Sequence, residues 1–386
     1  MLIKPNYIFC HLLLHQQQFG LDVFQISQQC QAFFVTCNHR QQHNRQNTYK
    51  MEDKKRFLLN SVLLYKKIIA QTDNNCLRRF LAFKIIVNAM SFEEIVNDRQ
   101  FTDIREVRNI FLAHKQNNQF SKAFNSSELI KNKNIDQLIA FMTGHLADQT
   151  NIEYFEELTD SAKLLKFENL SKQILKLFEE EFYVGFRISN NFLCTGEGQI
   201  KEVSSSNLAG SFYRFNSSKE LSILSNFFIT NLLTYPSYPN ALQNFKIDYI
   251  LHAVNMKDCI FKDTLNGHSI DGLFEVLTAT NVGDTTALQG LQTDTPFQTK
   301  YDEMRHIRNK LAGHMDKREP LNELLKLVYD FDITTAYDFV NKLDKAVYDT
   351  SQTHFAIQHH YHSFNMKMNS KDIIAIEGLK NSDYYS

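Results

Sequence analysis

A ten-residue pattern occurs twice in the chain. Arg105–His114 reads Arg-Glu-Val-Arg-Asn-Ile-Phe-Leu-Ala-His, and Arg305–His314 reads Arg-His-Ile-Arg-Asn-Lys-Leu-Ala-Gly-His. The offset is constant (305 − 105 = 200 and 314 − 114 = 200), so two Arg, an Asn and a His recur in identical spacing. The intervening positions match in kind: Val107 with Ile307, Phe111 with Leu311, Ala113 with Gly313. Each copy sits in sequence of helical period, with apolar residues at three- and four-residue steps. A duplicated helical unit follows. The period is too long for a solenoid, so the expectation is an all-α protein of two helical bundles packed as a pseudo-dimer.

At 386 residues the chain can bury more than one core. A hydrophobic content of 43% with 22% charged residues puts it in the globular class. A net charge of −1 argues against a surface that coats nucleic acid throughout, but leaves room for a local basic cleft. No stretch approaches the roughly 18 apolar residues of a membrane span, and no membrane partner is expected. The six cysteines are scattered without a Cys-x-x-Cys pair, which reads as free thiols in a reducing, cytoplasmic setting.

Residues 1–50 contain one acidic residue, Asp22, and are crowded with Gln, His, Phe and Cys. The composition changes at Met51, where Met-Glu-Asp-Lys-Lys-Arg opens a helix-like stretch. Met51 is therefore expected to be the natural start, with 1–50 a poorly patterned extension. Residues 51–188 read as the first helical domain. Its helices fall at about 57–69, Leu77–Met90, the motif, Ile135–Asp148 and Ile152–Phe182. Residues 189–218, rich in Ser, Asn and Gly, read as a linker with room for a short hairpin. Residues 219–350 form the second domain: Lys219–Leu233, Ala241–Val254, a loop over Gly283–Pro296, the motif helix from about Lys300, then Leu321–Asp330 and Thr334–Tyr348. Residues 351–386 are a polar tail carrying His354, His359, His360 and His362. Those histidines lack a convincing carboxylate or Cys partner for a metal. His145, His252 and His268 read as structural.

On a straight helix at about 100° per residue, Ile104, Val107 and Phe111 share one stripe, as do Met304, Ile307 and Leu311. Arg108 and His114 then flank the stripe about 120° apart and roughly 9 Å along the axis, and Arg308 and His314 repeat this. If the two stripes pack together, both Arg-Asn pairs and both His residues border one seam. These residue types suit phosphodiester chemistry. A neutral His can take the proton from a ribose 2′-hydroxyl or return one to the leaving 5′-oxygen. Arg can hold the phosphate oxygens with a bidentate fork, and Asn can orient either group. The motifs supply no carboxylate cluster, so neither metal nor cofactor is expected.

At Arg108-Asn109…His114 and Arg308-Asn309…His314 the sequence resembles the HEPN superfamily, whose pattern is Arg, a polar residue, three to five residues, then His. The resemblance implies an α-helical bundle in which two motif helices build a composite, metal-independent endoribonuclease site. It would be assembled within one chain here, or in a homodimer. It also implies RNA as substrate and a setting in defence or a toxin–antitoxin-like stress response, with a regulatory protein or antitoxin as partner. His114 and His314 would supply acid–base chemistry, Arg108 and Arg308 charge stabilisation, Asn109 and Asn309 orientation; Arg105 and Arg305 would contact RNA. Members silenced by modification carry a Tyr two residues after the His; here Gln116 and Asp316 stand there. Two further readings stay open. One is a non-catalytic module that binds RNA, nucleotide or a partner. The other is a purely structural helical unit whose Arg residues pair with acidic neighbours such as Glu106 or Asp302.

Overall fold

The computed structural model describes residues 51–73, 75–108, 132–150, 152–189, 207–235, 237–261, 263–265, 268–270, 272–281, 283–312, 315–354 and 357. The fold is all-α. Residues 52–386 form one compact unit, and among the described residues no helix is long and apolar enough to cross a membrane. The extension 1–50, residues 190–206 of the stretch expected as a linker with a hairpin, and the histidines after His354 lie outside the described residues, while 207–218 of that stretch are helical.

Helix α1 covers 51–69 and α2 runs Asn75–Val96. The first motif helix, α3, is Thr102–Val107. Next come α4 (Asn132–Gly144), the single turn α5 (Glu156–Thr159) and α6 (Ser161–Ser189). A second series begins with α7 (Asn207–Leu233) and α8 (Pro239–Ile260). An antiparallel ribbon, β1 (Asp263–Leu265) with β2 (His268–Ile270), pairs Thr264 with Ser269. Two short helices, α9 (Leu273–Thr280) and α10 (Thr286–Thr293), precede the second motif helix, α11 (Thr295–Ile307). Helices α12 (Leu321–Tyr329) and α13 (Ile333–Ser351) follow.

The two helix pairs are in register. Helices α2 and α8 have 22 residues each and both ends differ by the same amount (239 − 75 = 164 and 260 − 96 = 164). The ends of α1 and α7 keep that offset (233 − 69 = 164). Buried apolar positions coincide: Leu81 with Phe245, Ile85 with Tyr249, Ala89 with Ala253, Met90 with Val254. The motif offset is 200, so the second series has gained 36 residues between α8 and α11, the stretch holding the ribbon, α9 and α10. At the base of this insertion Gly272 lies against the end of α8. A Cβ there would sit 2.3 Å from the Ile260 carbonyl oxygen, which confines the position to glycine.

The core between the pairs contains a polar cluster. Tyr65 donates to Asp248 Oδ2 at 2.5 Å, Lys84 Nζ lies 3.5 Å from the same carboxylate, and His252 Nε2 is 2.7 Å from Lys84 Nζ. Around it pack Phe228 and Phe245, stacked at 4.3 Å, with Tyr65 edge-on to Phe245.

Several helix boundaries differ from those expected, each for a physical reason. Helix α7 begins at Asn207, well before Lys219, because Phe212 and Phe215 are fully buried and their packing outweighs the weak helix propensity of the Ser/Asn stretch. The helix expected from Ile152 instead starts at Ser161. Asp160 is extended there, and its carboxylate accepts from the Ala162 N–H at 2.6 Å, capping the new start. Pro296 belongs to the first turn of α11, where its missing N–H costs nothing, and Asp294 caps that turn by accepting from Phe297 N at 3.0 Å.

Candidate functional site

Each motif helix packs on the second long helix of its own series, α3 on α2 and α11 on α8. The stripe is buried as its period requires: Ile104 in the first copy, Met304, Ile307 and Leu311 in the second. The helices do not continue straight. Both pass from α to π geometry at the motif Arg, Arg108 and Arg308. In the second copy the π turn runs Arg308–Ala312, and the chain closes it with Asp316 N donating to Lys310 O at 2.8 Å. A π turn bonds i to i+5 and is frequent at functional sites. Its rotation per residue is smaller than the 100° of an α-helix, so straight-helix angles do not carry through Arg308–Ala312.

The motif Arg residues are buried and ion-paired. Arg108 is 2% exposed, with Nη2 at 2.7 Å from Glu94 Oε1. Arg308 is 6% exposed, with Nη1 at 2.7 Å from Asp258 Oδ2. Glu94 and Asp258 occupy equivalent places, each two residues before the end of its helix (96 − 94 = 2 and 260 − 258 = 2). These partners come from the preceding long helix of each series. Sequence reading missed both carboxylates. The 164-residue register that relates them becomes visible once α2 and α8 are known to be equal in length.

Around this shared core the copies differ. In the first, buried Glu93 accepts from Gln100 N and Phe101 N at 2.5 and 2.8 Å and also pairs with Arg105. It thus holds the start of α3 and the outer Arg together. In the second, the equivalent of Glu93 is Lys257 (257 − 93 = 164), and Asp294 performs the capping locally. Tyr301 replaces Phe101 (301 − 101 = 200). Its hydroxyl donates to Asp258 Oδ1 at 2.6 Å, so Asp258 receives both Tyr301 and Arg308. Burial, reinforced by Asp258, pushes the Tyr301 hydroxyl far above the ordinary tyrosine pKa, so it stays a donor. Lys257 Nζ lies 3.8 Å from the centre of the Tyr301 ring and the Arg305 guanidinium 5.8 Å from it.

Asn309 is exposed, and its Oδ1 accepts from Arg308 Nε at 3.2 Å. Asn109, His114 and His314 lie outside the described residues. Flanking His314, Lys310 donates to Asp316 and, at 2.6 Å, to Glu319. Those bonds hold the Lys310 charge above, and the Asp316 carboxyl below, their ordinary ranges. Lys54 of α1 donates to the Asp316 carbonyl, tying the end of the second motif to the first helix pair. His145 has its expected structural place, Nδ1 at 2.9 Å from Phe141 O and Nε2 at 3.3 Å from Asp98. Among the described residues no group of three or more His, Cys, Asp or Glu is arranged to hold a metal.

No family model, curated protein or solved structure matches the chain.

Proposed function

We propose that this chain is a HEPN-like, metal-independent endoribonuclease whose two motifs form one composite site. One His takes the ribose 2′-hydroxyl proton while that oxygen bonds to phosphorus; the P–O5′ bond breaks, and the other His protonates the leaving 5′-oxygen. The products are a 2′,3′-cyclic phosphate and a 5′-hydroxyl. One observation carries the reading. The same assembly occurs twice: an Arg at an α-to-π transition, held by a carboxylate two residues from the end of a 22-residue helix. The pairing of the two units finds support at their seam. Lys84 and Asp248 are equivalent positions (248 − 84 = 164) and lie 3.5 Å apart, and contact between equivalents is what a two-fold relation generates. RNA would be the substrate and a regulatory protein the partner.

In this reading the buried Arg residues fix the turn as much as they stabilise charge. Asp258 and Asn309 engage Nη1 and Nε of Arg308, while a guanidinium carries five donors in a fixed fork. The same burial and pairing favour a second reading, a non-catalytic module that binds RNA, nucleotide or a partner protein.

Incubating the purified protein with total RNA in EDTA and mapping the new termini separates the two. The expected result is cleavage leaving cyclic phosphate. His114→Ala or His314→Ala should reduce it by about 10²–10⁴-fold with the fold intact. The double variant should cost less than the product of the singles, since residues acting as a unit are non-additive. Metal-dependent cleavage leaving 5′-phosphates, or full activity in the double variant, would overturn the mechanism. No cleavage by the wild type would leave the binding module.

A further inference from the structure

Arg308 reaches Asp258 through one nitrogen and one oxygen, Nη1 to Oδ2 at 2.7 Å. Arg–carboxylate pairs frequently close two parallel bonds, because the guanidinium fork and the carboxylate match in shape. Here the second oxygen is occupied. Tyr301 donates its hydroxyl to Asp258 Oδ1 at 2.6 Å, and burial, reinforced by Asp258, keeps that hydroxyl protonated. Nε of Arg308 is engaged as well, by Asn309 Oδ1 at 3.2 Å. A guanidinium carries five N–H donors, so three of them (5 − 2 = 3) meet no acceptor among the described residues.

Packing does not call for the hydroxyl. The equivalent residue of the first copy, Phe101, has none and packs edge-on to Phe141 at 5.2 Å. The Tyr301 ring stacks with Phe339 at 6.4 Å and 16°, a contact that a phenyl ring would keep. What the hydroxyl adds is occupancy of one carboxylate oxygen. Without it, Oδ1 is open to a second N–H of Arg308. The pair would then close both bonds, consuming a further donor and neutralising the guanidinium along that edge.

From these observations we infer that Tyr301 is a positioning residue: by occupying Asp258 Oδ1 it holds the Asp258–Arg308 pair to a single bond and leaves N–H donors of Arg308 for a phosphate oxygen of the substrate. Arg308 is 6% exposed, so each donor kept out of the ion pair counts. The substrate in this inference rests on the RNA-cleaving reading of the site; the pairing geometry is tested without activity.

The variant that tests it is Tyr301→Phe. Its crystal structure should show Asp258 bonded to Arg308 through both oxygens, and its melting temperature should match that of wild type, since one hydrogen bond replaces another. On RNA, kcat should fall by about 10²-fold, the order for one charge-stabilising donor, with KM little changed. Adding Asp258→Asn supplies a side chain with a single acceptor oxygen, which returns the contact with Arg308 to one bond. The double variant Tyr301→Phe/Asp258→Asn should therefore melt below Tyr301→Phe yet recover much of its lost kcat. A hydroxyl that merely supported the fold would give a double variant both less stable and less active than the single one. A Tyr301→Phe structure that keeps one bond between Asp258 and Arg308, or a folded double variant no faster than Tyr301→Phe, would overturn the inference. If the double variant does not fold, the structure and kcat of Tyr301→Phe decide by themselves. Wild-type protein that leaves RNA intact would overturn the nuclease reading, and the two crystal structures would still decide how Tyr301 sets the pairing of Arg308.

Discussion

At the scale of single residues, the deciding quantity is the cost of a buried charge. Arg308 is buried against Asp258, whose side chain is 11% exposed, whereas the Glu94 carboxylate that holds Arg108 is 21% exposed. Removing one partner of a buried pair strands the other charge and typically costs about 3–5 kcal/mol. Asp258→Ala should therefore destabilise by about that amount in urea unfolding, and Asp258→Asn by less, because one carbonyl acceptor remains. Glu94→Gln should cost less again, since water reaches that carboxylate. An Asp258→Ala variant within about 1 kcal/mol of wild type, the range of an exposed ion pair, would show that Arg308 is held by something else. The Arg residues themselves were legible in the sequence, through their doubled spacing. Their partners were not. Helical periodicity points to neighbours three or four residues away, such as Glu106 and Asp302, and says nothing of residues 14 and 50 positions earlier (108 − 94 = 14 and 308 − 258 = 50).

At the scale of elements, the all-α class was legible because apolar residues recur at helical steps along nearly every segment, and the burial of Met304, Ile307 and Leu311 follows that pattern. Three helix starts misled, at Asn207, Ser161 and Thr295, where long-range burial of Phe212 and Phe215 or a local Asp cap outweighed composition. The π turn had no sequence signal at all. Nothing in Arg-Asn-Lys-Leu-Ala distinguishes i→i+5 bonding from i→i+4. It matters to the site, because one residue more or less at a helical turn rotates the following residues by about 100°. Deleting Lys310 should convert the turn to ordinary α-helix and preserve helical content by circular dichroism. The deletion removes the ion pairs to Asp316 and Glu319, which contribute little, and the Lys310 carbonyl that accepts from Asp316 N. RNA cleavage in the deletion variant should fall to the level of His314→Ala, whereas Lys310→Ala should keep it. Full activity after the deletion would mean that the π geometry plays no part in placing the histidine.

At the scale of the whole molecule, the two helix pairs meet across charges that water does not reach. Lys84 of α2 faces Asp248 and His252 of α8, Tyr65 of α1 donates to the same Asp248, and Ser225 of α7 lies 3.4 Å from the Lys84 ammonium. All four helices of the two pairs thus contribute to one cluster. Burial lowers the Lys84 pKa to about 8, and the nearby Asp248 carboxylate only partly restores it. Burial also raises the Asp248 pKa, against the pull of Lys84, and raises that of Tyr65. The pH dependence follows from which state holds more protons. Between about pH 8 and the ordinary lysine value of 10.5, an unfolded Lys84 is protonated and the folded one largely is not. Stability contributed by this group therefore rises with pH through that window, and the penalty of burying the charge is fully present below it. Tyr65 and other buried tyrosines titrate in the same range with the opposite sign, so the test is a difference between two proteins. The stability of wild type minus that of Lys84→Met should be flat from pH 6 to about 8 and then climb by a few kcal/mol toward pH 10.5. At neutral pH Lys84→Met alone should destabilise, because Asp248 is left buried without its cation. Adding Asp248→Asn to it should restore much of the stability, since removing both charges removes the desolvation cost along with the attraction. A difference curve that stays level from pH 8 to 10.5 would mean that Lys84 is solvated in the folded protein.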